Sequence, residues 1–170
     1  MELTTRETWT LIHGLVIGSL FLLAFAGGLA GLWSLRPELV TAVGIRERLF
    51  RLKIGTTAMA LLAWATVLTG TWIVYPWYRE KTPDSPRSQL LADPDTEQWH
   101  KFGMEWKEHI AWISPMLATA AAFLVLYYGT GLVRNQTMRR LTMAIFVSAF
   151  VIAGIAGLFG ALITKAAPVR

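Results

Sequence analysis

The sequence predicts an all-α integral membrane protein: a four-helix bundle of up-down topology, with a short interfacial helix between its first two spans. Three observations carry that expectation. Hydrophobic residues make up 54% of the 170 residues and charged residues 16%, with a mean hydropathy of +0.45. The charges are confined to a few segments, and the stretches between them are long and uncharged. Four of those stretches reach the length of about 20 apolar residues that crosses a bilayer. Helices are the expected form, because hydrocarbon satisfies no exposed backbone group and none of the stretches alternates as a barrel strand would.

Taken in order, Thr4-x-x-Glu7 fits a capping box and starts the first helix near Thr5. The first span runs about Trp9–Leu35, with no charge between Glu7 and Arg36. Ala24-Phe25-Ala26 looks like a signal-peptidase site, but Glu2, Arg6 and Glu7 give a net negative start where a signal peptide is basic. A retained span is therefore expected. The run Glu38–Leu52 places Leu39, Val43, Leu49, Phe50 and Leu52 among Arg46, Arg48 and Arg51, the pattern of an amphipathic helix lying in the interface.

The remaining spans are Ile54–Tyr78, Ile110–Val133 and Leu141–Thr164, and residues 1–170 form one transmembrane domain. The connection Arg79–Glu108 is the sizeable extramembrane element. Pro83, Pro86 and Pro94 make its first part irregular, and Thr96–Glu108 reads as an extension of the third helix. A tight basic turn around Arg134, Asn135, Arg139 and Arg140 joins the last two spans.

Four spans put both termini and the 79–108 loop on one side. The other side carries Arg36, Arg46, Arg48, Arg51, Lys53, Arg134, Arg139 and Arg140 against Glu38 and Glu47, crowded into two short connections. The termini side also has eight Lys and Arg, but the density of the eight in two short loops marks those loops as inward, so the termini and the 79–108 loop face outward from the cell's inner (plasma) membrane. The net charge of +5 suits anionic lipid at these basic loops rather than nucleic acid, since the cations sit between apolar spans.

Gly14/Gly18 and Gly27/Gly31 have the four-residue spacing that lets helix backbones approach, and Gly154, Gly157 and Gly160 punctuate the fourth span. Packing is the ordinary reading of such glycines; room beside a large flat cofactor is the other. Trp9, Trp72, Tyr75, Trp77, Tyr78, Trp99, Trp106 and Trp112 gather near one boundary as an aromatic belt.

The chain has no Cys, so disulfides, thiolate metal sites and nucleophilic thiols are excluded. No nucleophile–base constellation, phosphate-binding loop or HExxH motif is present, and no acidic residue falls inside a predicted span, which argues against a proton relay. Three histidines remain: His13, His100 and His109. His13 lies just inside the first span and His109 at the mouth of the third. Measured from Leu11 and Ile110, they differ in depth by about three residues, or about 4–5 Å, less than one helical turn. Two imidazoles at matched depth on separate helices suit the two faces of one haem iron. Gly14, Gly18 and Trp112 stand where they would flank the macrocycle. A headgroup contact for His109 and a hydrogen bond to a neighbouring helix for His13 are the structural alternatives. Three histidines cannot serve two bis-histidine haems.

The arrangement resembles the small four-helix membrane-anchor cytochromes b of respiratory complexes. The resemblance covers all four spans and rests on architecture and on His13 and His109. It implies one haem b near the outer face, electron transfer between a partner's redox centre and the quinone pool, and other subunits docking on the 79–108 loop. The departure is the lack of four in-span histidines. Tyr75, Tyr78, Trp99 and His100 are the polar and aromatic groups available for a quinone headgroup. Two further functions stay open: a cofactor-free accessory subunit, and copper handling through His13, His100, Met104 and His109.

Overall fold

The computed structural model describes residues 2–41 and 43–168, and every regular element among them is a helix. In chain order these are α1 (Thr5–Ser34), α2 (Gly44–Tyr78), the short α3 (Pro86–Ala92), α4 (Trp99–Tyr128), the single turn α5 (Gly131–Arg134) and α6 (Gln136–Ala166). The four longest have 30, 35, 30 and 31 residues and are apolar enough to cross a membrane. The chain is thus built as a multi-pass membrane protein.

Local chemistry sets the helix ends. Thr4 accepts from the Glu7 N–H while the Glu7 carboxylate takes the Thr4 N–H, which is the reciprocal cap expected at the start of α1. Ser85 caps α3, whose first residue is Pro86, and the Asn135 side chain caps α6 by accepting from the Met138 N–H. Gly129 ends α4 with φ of +50°, a conformation that costs glycine little.

The expected separate helix over Glu38–Leu52 does not form. After one 3-10 turn at Pro37–Leu39, the chain re-enters helix at Gly44 and continues through Thr69 into the rest of α2. Leu52 explains the difference. It is fully buried against Gly31 of α1 and shares one face of α2 with buried Thr56, Met59 and Ala63, so the segment packs on the bundle instead of lying flat. Phe50 and Val43 stay exposed.

Two ends of the bundle differ. At the basic end, the Arg139 guanidinium is buried and donates to the carbonyls of Leu35, Leu132 and Val133 at 3.1–3.2 Å. It thereby ties the end of α1 to the turn before α6, satisfying carbonyls that a helix C-terminus leaves free. Arg48 does the same for the Ser34 carbonyl at 3.1 Å. These two arginines serve the fold and not the lipid surface; Arg46, Arg51, Arg134 and Arg140 remain exposed. At the loop end, Arg6 and Glu80 pair at 2.6 Å and Tyr78 hydrogen-bonds His100 at 2.8 Å, holding α1, α2 and α4 level.

The main core lies toward the basic end, around Leu32, Leu52, Met59, Val125, Leu132 and Phe146. Small residues bring the backbones together there. The Gly55 Cβ position is 3.3 Å from the Gly28 backbone nitrogen, and Phe146 of α6 fills the notch above Gly28. The expected packing pair Gly27/Gly31 is out of phase by one residue: Gly31 meets Leu52, but nothing lies within 4 Å of Gly27, and Gly28 makes the contact. Phe25 stacks on Phe150 with ring centroids 3.8 Å apart. Beyond Phe21, toward the loop end, α1 and α6 part.

Candidate functional site

Where α1 and α6 part, a cavity of about 850 Å³ opens, lined by all four long helices. That volume is in the range of small-molecule sites, and most of the wall is apolar. Its polar groups gather toward the loop end.

His13 is half-buried on the α1 wall. Its Nδ1 lies 2.9 Å from the Thr69 hydroxyl of α2, and that hydroxyl donates its one hydrogen to the Ala65 carbonyl at 2.7 Å. With its hydrogen on that carbonyl the hydroxyl accepts from Nδ1, the tautomer that leaves a lone pair on Nε2. Gly70 makes room for the ring: a Cβ there would stand 3.0 Å from Cε1 and 3.5 Å from Nε2. The expected flanking residues Gly14, Gly18 and Trp112 all line the cavity, and nothing occupies the space within 4 Å of either glycine's Cβ position. Neither glycine serves as a packing contact.

His109 lines the same cavity but at its rim. Its side chain is 68% exposed, and its Nδ1 donates to the Glu105 carbonyl of its own helix at 3.1 Å. The expected quinone cluster divides. Tyr75 and Tyr78 reach the cavity, whereas His100 is buried behind Tyr78 and Trp99 packs against the small core of Tyr78, Leu90, Met104, Ile163 and Ala167. The copper set is not assembled either: among the described residues no three His, Cys, Asp or Glu side chains converge on a metal position.

Two cavity residues were not legible as such. Lys107 and Glu108 read as part of an extramembrane loop, yet α4 begins at Trp99 and carries both into the wall. Lys107 runs across to α6, where its Nζ donates to the Ala156 carbonyl at 3.3 Å beside Gly160. The Glu108 Oε1 is sealed from solvent, makes no hydrogen bond and lies 4.0 Å from Arg79. The reading of Thr96–Glu108 as an extension of the third helix was the available signal, but it does not tell which side chains face a cavity.

The cavity walls also depart from regular helix. Wide π-helical turns occur at Ile12–Val16, Gly70–Val74, Trp99–Met104 and Trp106–Ile110, so His13, Gly70, Lys107 and His109 all sit on them. Each such turn inserts a residue and re-aims the face that follows, and such turns are frequent at functional sites.

No known protein family, curated protein or solved structure matches the chain. The geometry of this cavity therefore carries the functional argument.

Proposed function

We propose that the chain is a cytochrome-b-like membrane subunit that holds one haem b in this cavity and passes electrons to, or anchors, a redox partner at the loop end. The observation that carries the reading is His13, which lines a cavity of ligand size with no hydrogen bond at Nε2 among the described residues while Thr69 holds its other nitrogen. A haem-ligating imidazole needs that combination of a free nitrogen and a fixed tautomer. Gly70 seats the ring, and Gly14 and Gly18 leave the space that a flat macrocycle would fill. With no Cys in the sequence, attachment through thioethers is excluded, so the haem would be held non-covalently, as haem b is. His109 is the other histidine on the cavity wall and would be the second residue to hold the haem, once its Nδ1 released the Glu105 carbonyl. When bound, the haem supplies a one-electron carrier; the chain orients it through His13 and keeps water away with apolar walls.

The helices cross the bilayer up-down, with the loop end outward. The exposed Arg46, Arg51, Arg134 and Arg140 at the basic end support this by the inward bias of cationic short loops, and they face anionic lipid. The 79–108 segment is then an outward docking surface for other subunits.

The test is the absorption spectrum of protein purified from a haem-replete host with its partners bound. Expected are a sharp reduced α-band and a b-type pyridine haemochrome. His13→Ala removes the band, His109→Ala converts it from low to high spin, and His100→Ala leaves it nearly intact. Colourless protein would overturn the haem reading and leave a cofactor-free accessory subunit.

A further inference from the structure

Lys107 is the cavity group to which the haem reading assigns no role, and its placement is specific. His13 packs on Gly70, eight residues inward of Tyr78 along α2. Lys107 lies seven residues inward of His100 along α4, and His100 is hydrogen-bonded to Tyr78. Both therefore lie about two helical turns inward of the Tyr78–His100 contact. They occupy different walls of the same cavity. Each has a glycine notch on a neighbouring helix: Gly70 under the imidazole and Gly160 under the ammonium, where a Cβ would be 2.9 Å from Nζ.

An ammonium has three hydrogens to donate. Among the described residues Lys107 places one hydrogen bond, to the Ala156 carbonyl, and forms no ion pair within 4.0 Å. A charge left so in apolar surroundings is costly unless a partner arrives. The lone pair of His13 and the spare donors of Lys107 together ask for a ring carrying an oxygen acceptor. The way in is lateral. The Cβ positions of Gly14 and Gly18 of α1 and of Gly154 and Gly157 of α6 meet nothing within 4 Å, and α1 packs on α6 farther down, through Phe21 and Phe25 on Phe150 and Gly28 on Phe146.

We infer that Lys107 anchors, through an oxygen acceptor, a lipid-soluble ring compound that lies against His13 and enters between α1 and α6. The oxygen belongs either to a carboxylate, as on a haem edge, or to a carbonyl, as on a quinone. The inference rests on the cavity being a ligand site, as proposed above, but not on which ring fills it.

The experiment uses the full chain in lipid nanodiscs and two probes. Haemin is followed by its Soret band, and a short-tailed ubiquinone by quenching of tryptophan fluorescence, since Trp112 lines the cavity. Lys107→Met removes a charge from apolar surroundings, so the variant should fold, as its circular dichroism and elution will show. It should bind the true occupant about tenfold more weakly, equivalent to about 1.4 kcal/mol. Lys107→Arg should restore much of the loss. A loss with haemin alone identifies the carboxylate, and with ubiquinone alone the carbonyl. Binding by the natural chain that Lys107→Met leaves unchanged for both probes would overturn the anchor and spare the cavity reading. Failure of the natural chain to bind either probe would overturn both.

Discussion

Neighbouring glycines on α1 should respond oppositely to the same substitution. Replacing a helical glycine by alanine removes backbone freedom from the unfolded chain and stabilises by about 0.5–1 kcal/mol. At Gly27 nothing else happens, because no atom lies within 4 Å of the new methyl. At Gly28 the methyl would stand 2.5 Å from Cζ of Phe146 and 2.9 Å from its Cε1. That ring has nowhere to go: it is 0% exposed and stacks on Phe25 at 5.5 Å. Overpacking of this kind costs about 1–3 kcal/mol. The propensity gain is common to both variants and cancels in the comparison. Gly28→Ala should therefore be less stable than Gly27→Ala by about 1–3 kcal/mol, the overpacking cost alone. Unfolding by sodium dodecyl sulfate in mixed micelles, followed by far-ultraviolet circular dichroism, measures the difference. Equal stability of the two variants, or greater stability of Gly28→Ala, would refute the packing of α1 on α6 through this notch.

Two further outcomes test the basic end and the sidedness. Arg139→Gln removes a buried guanidinium from three carbonyls and should cost about 1.5–3 kcal/mol in the same unfolding assay, whereas Arg140→Gln, exposed beside it, should stay within about 0.5 kcal/mol. Reporter fusions at Pro86 and Asn135 should give opposite signals with Pro86 external; the reverse pattern would place the loop end inside the cell.

The helical class and the existence of four spans were legible because they depend on composition and length, which a sequence displays directly. The capping box at Thr4 and Glu7 was legible because a cap is a local event. What failed to read through depended on phase and partners. Four-residue glycine spacing marks a close approach but not its register, so Gly27 was chosen where Gly28 makes the contact. The amphipathic pattern at Glu38–Leu52 fits a helix on a membrane and the first turns of a packed helix equally well; only the seat of Leu52 against Gly31 separates the two. Lys107 and Glu108 read as extramembrane, on an extension of the third helix, because charge marks the end of a span. In α4 the helix runs on past the charges, and the long lysine stem carries its ammonium across to α6. The π-turns left no trace in the sequence at all.

The bundle divides its labour along its length, and the glycines show how. Toward the basic end three are filled in helix contacts, Gly28 by Phe146, Gly31 by Leu52 and Gly55 by the α1 backbone, while Gly27 and Gly131 stay empty. Without a hydrophobic force to drive helices together in lipid, such close contacts and buried hydrogen bonds, like that of Ser114 to the Ala149 carbonyl at 2.8 Å, hold the helices in place. Toward the loop end Gly103 is filled by Phe159, but Gly14, Gly18 and Gly157 are empty, and Gly70 and Gly160 are shaped around a polar side chain. The anchored end fixes the helix positions, so the loop end can keep its walls apart, and the cost of that unfilled volume is what an occupant held between His13 and Lys107 would offset.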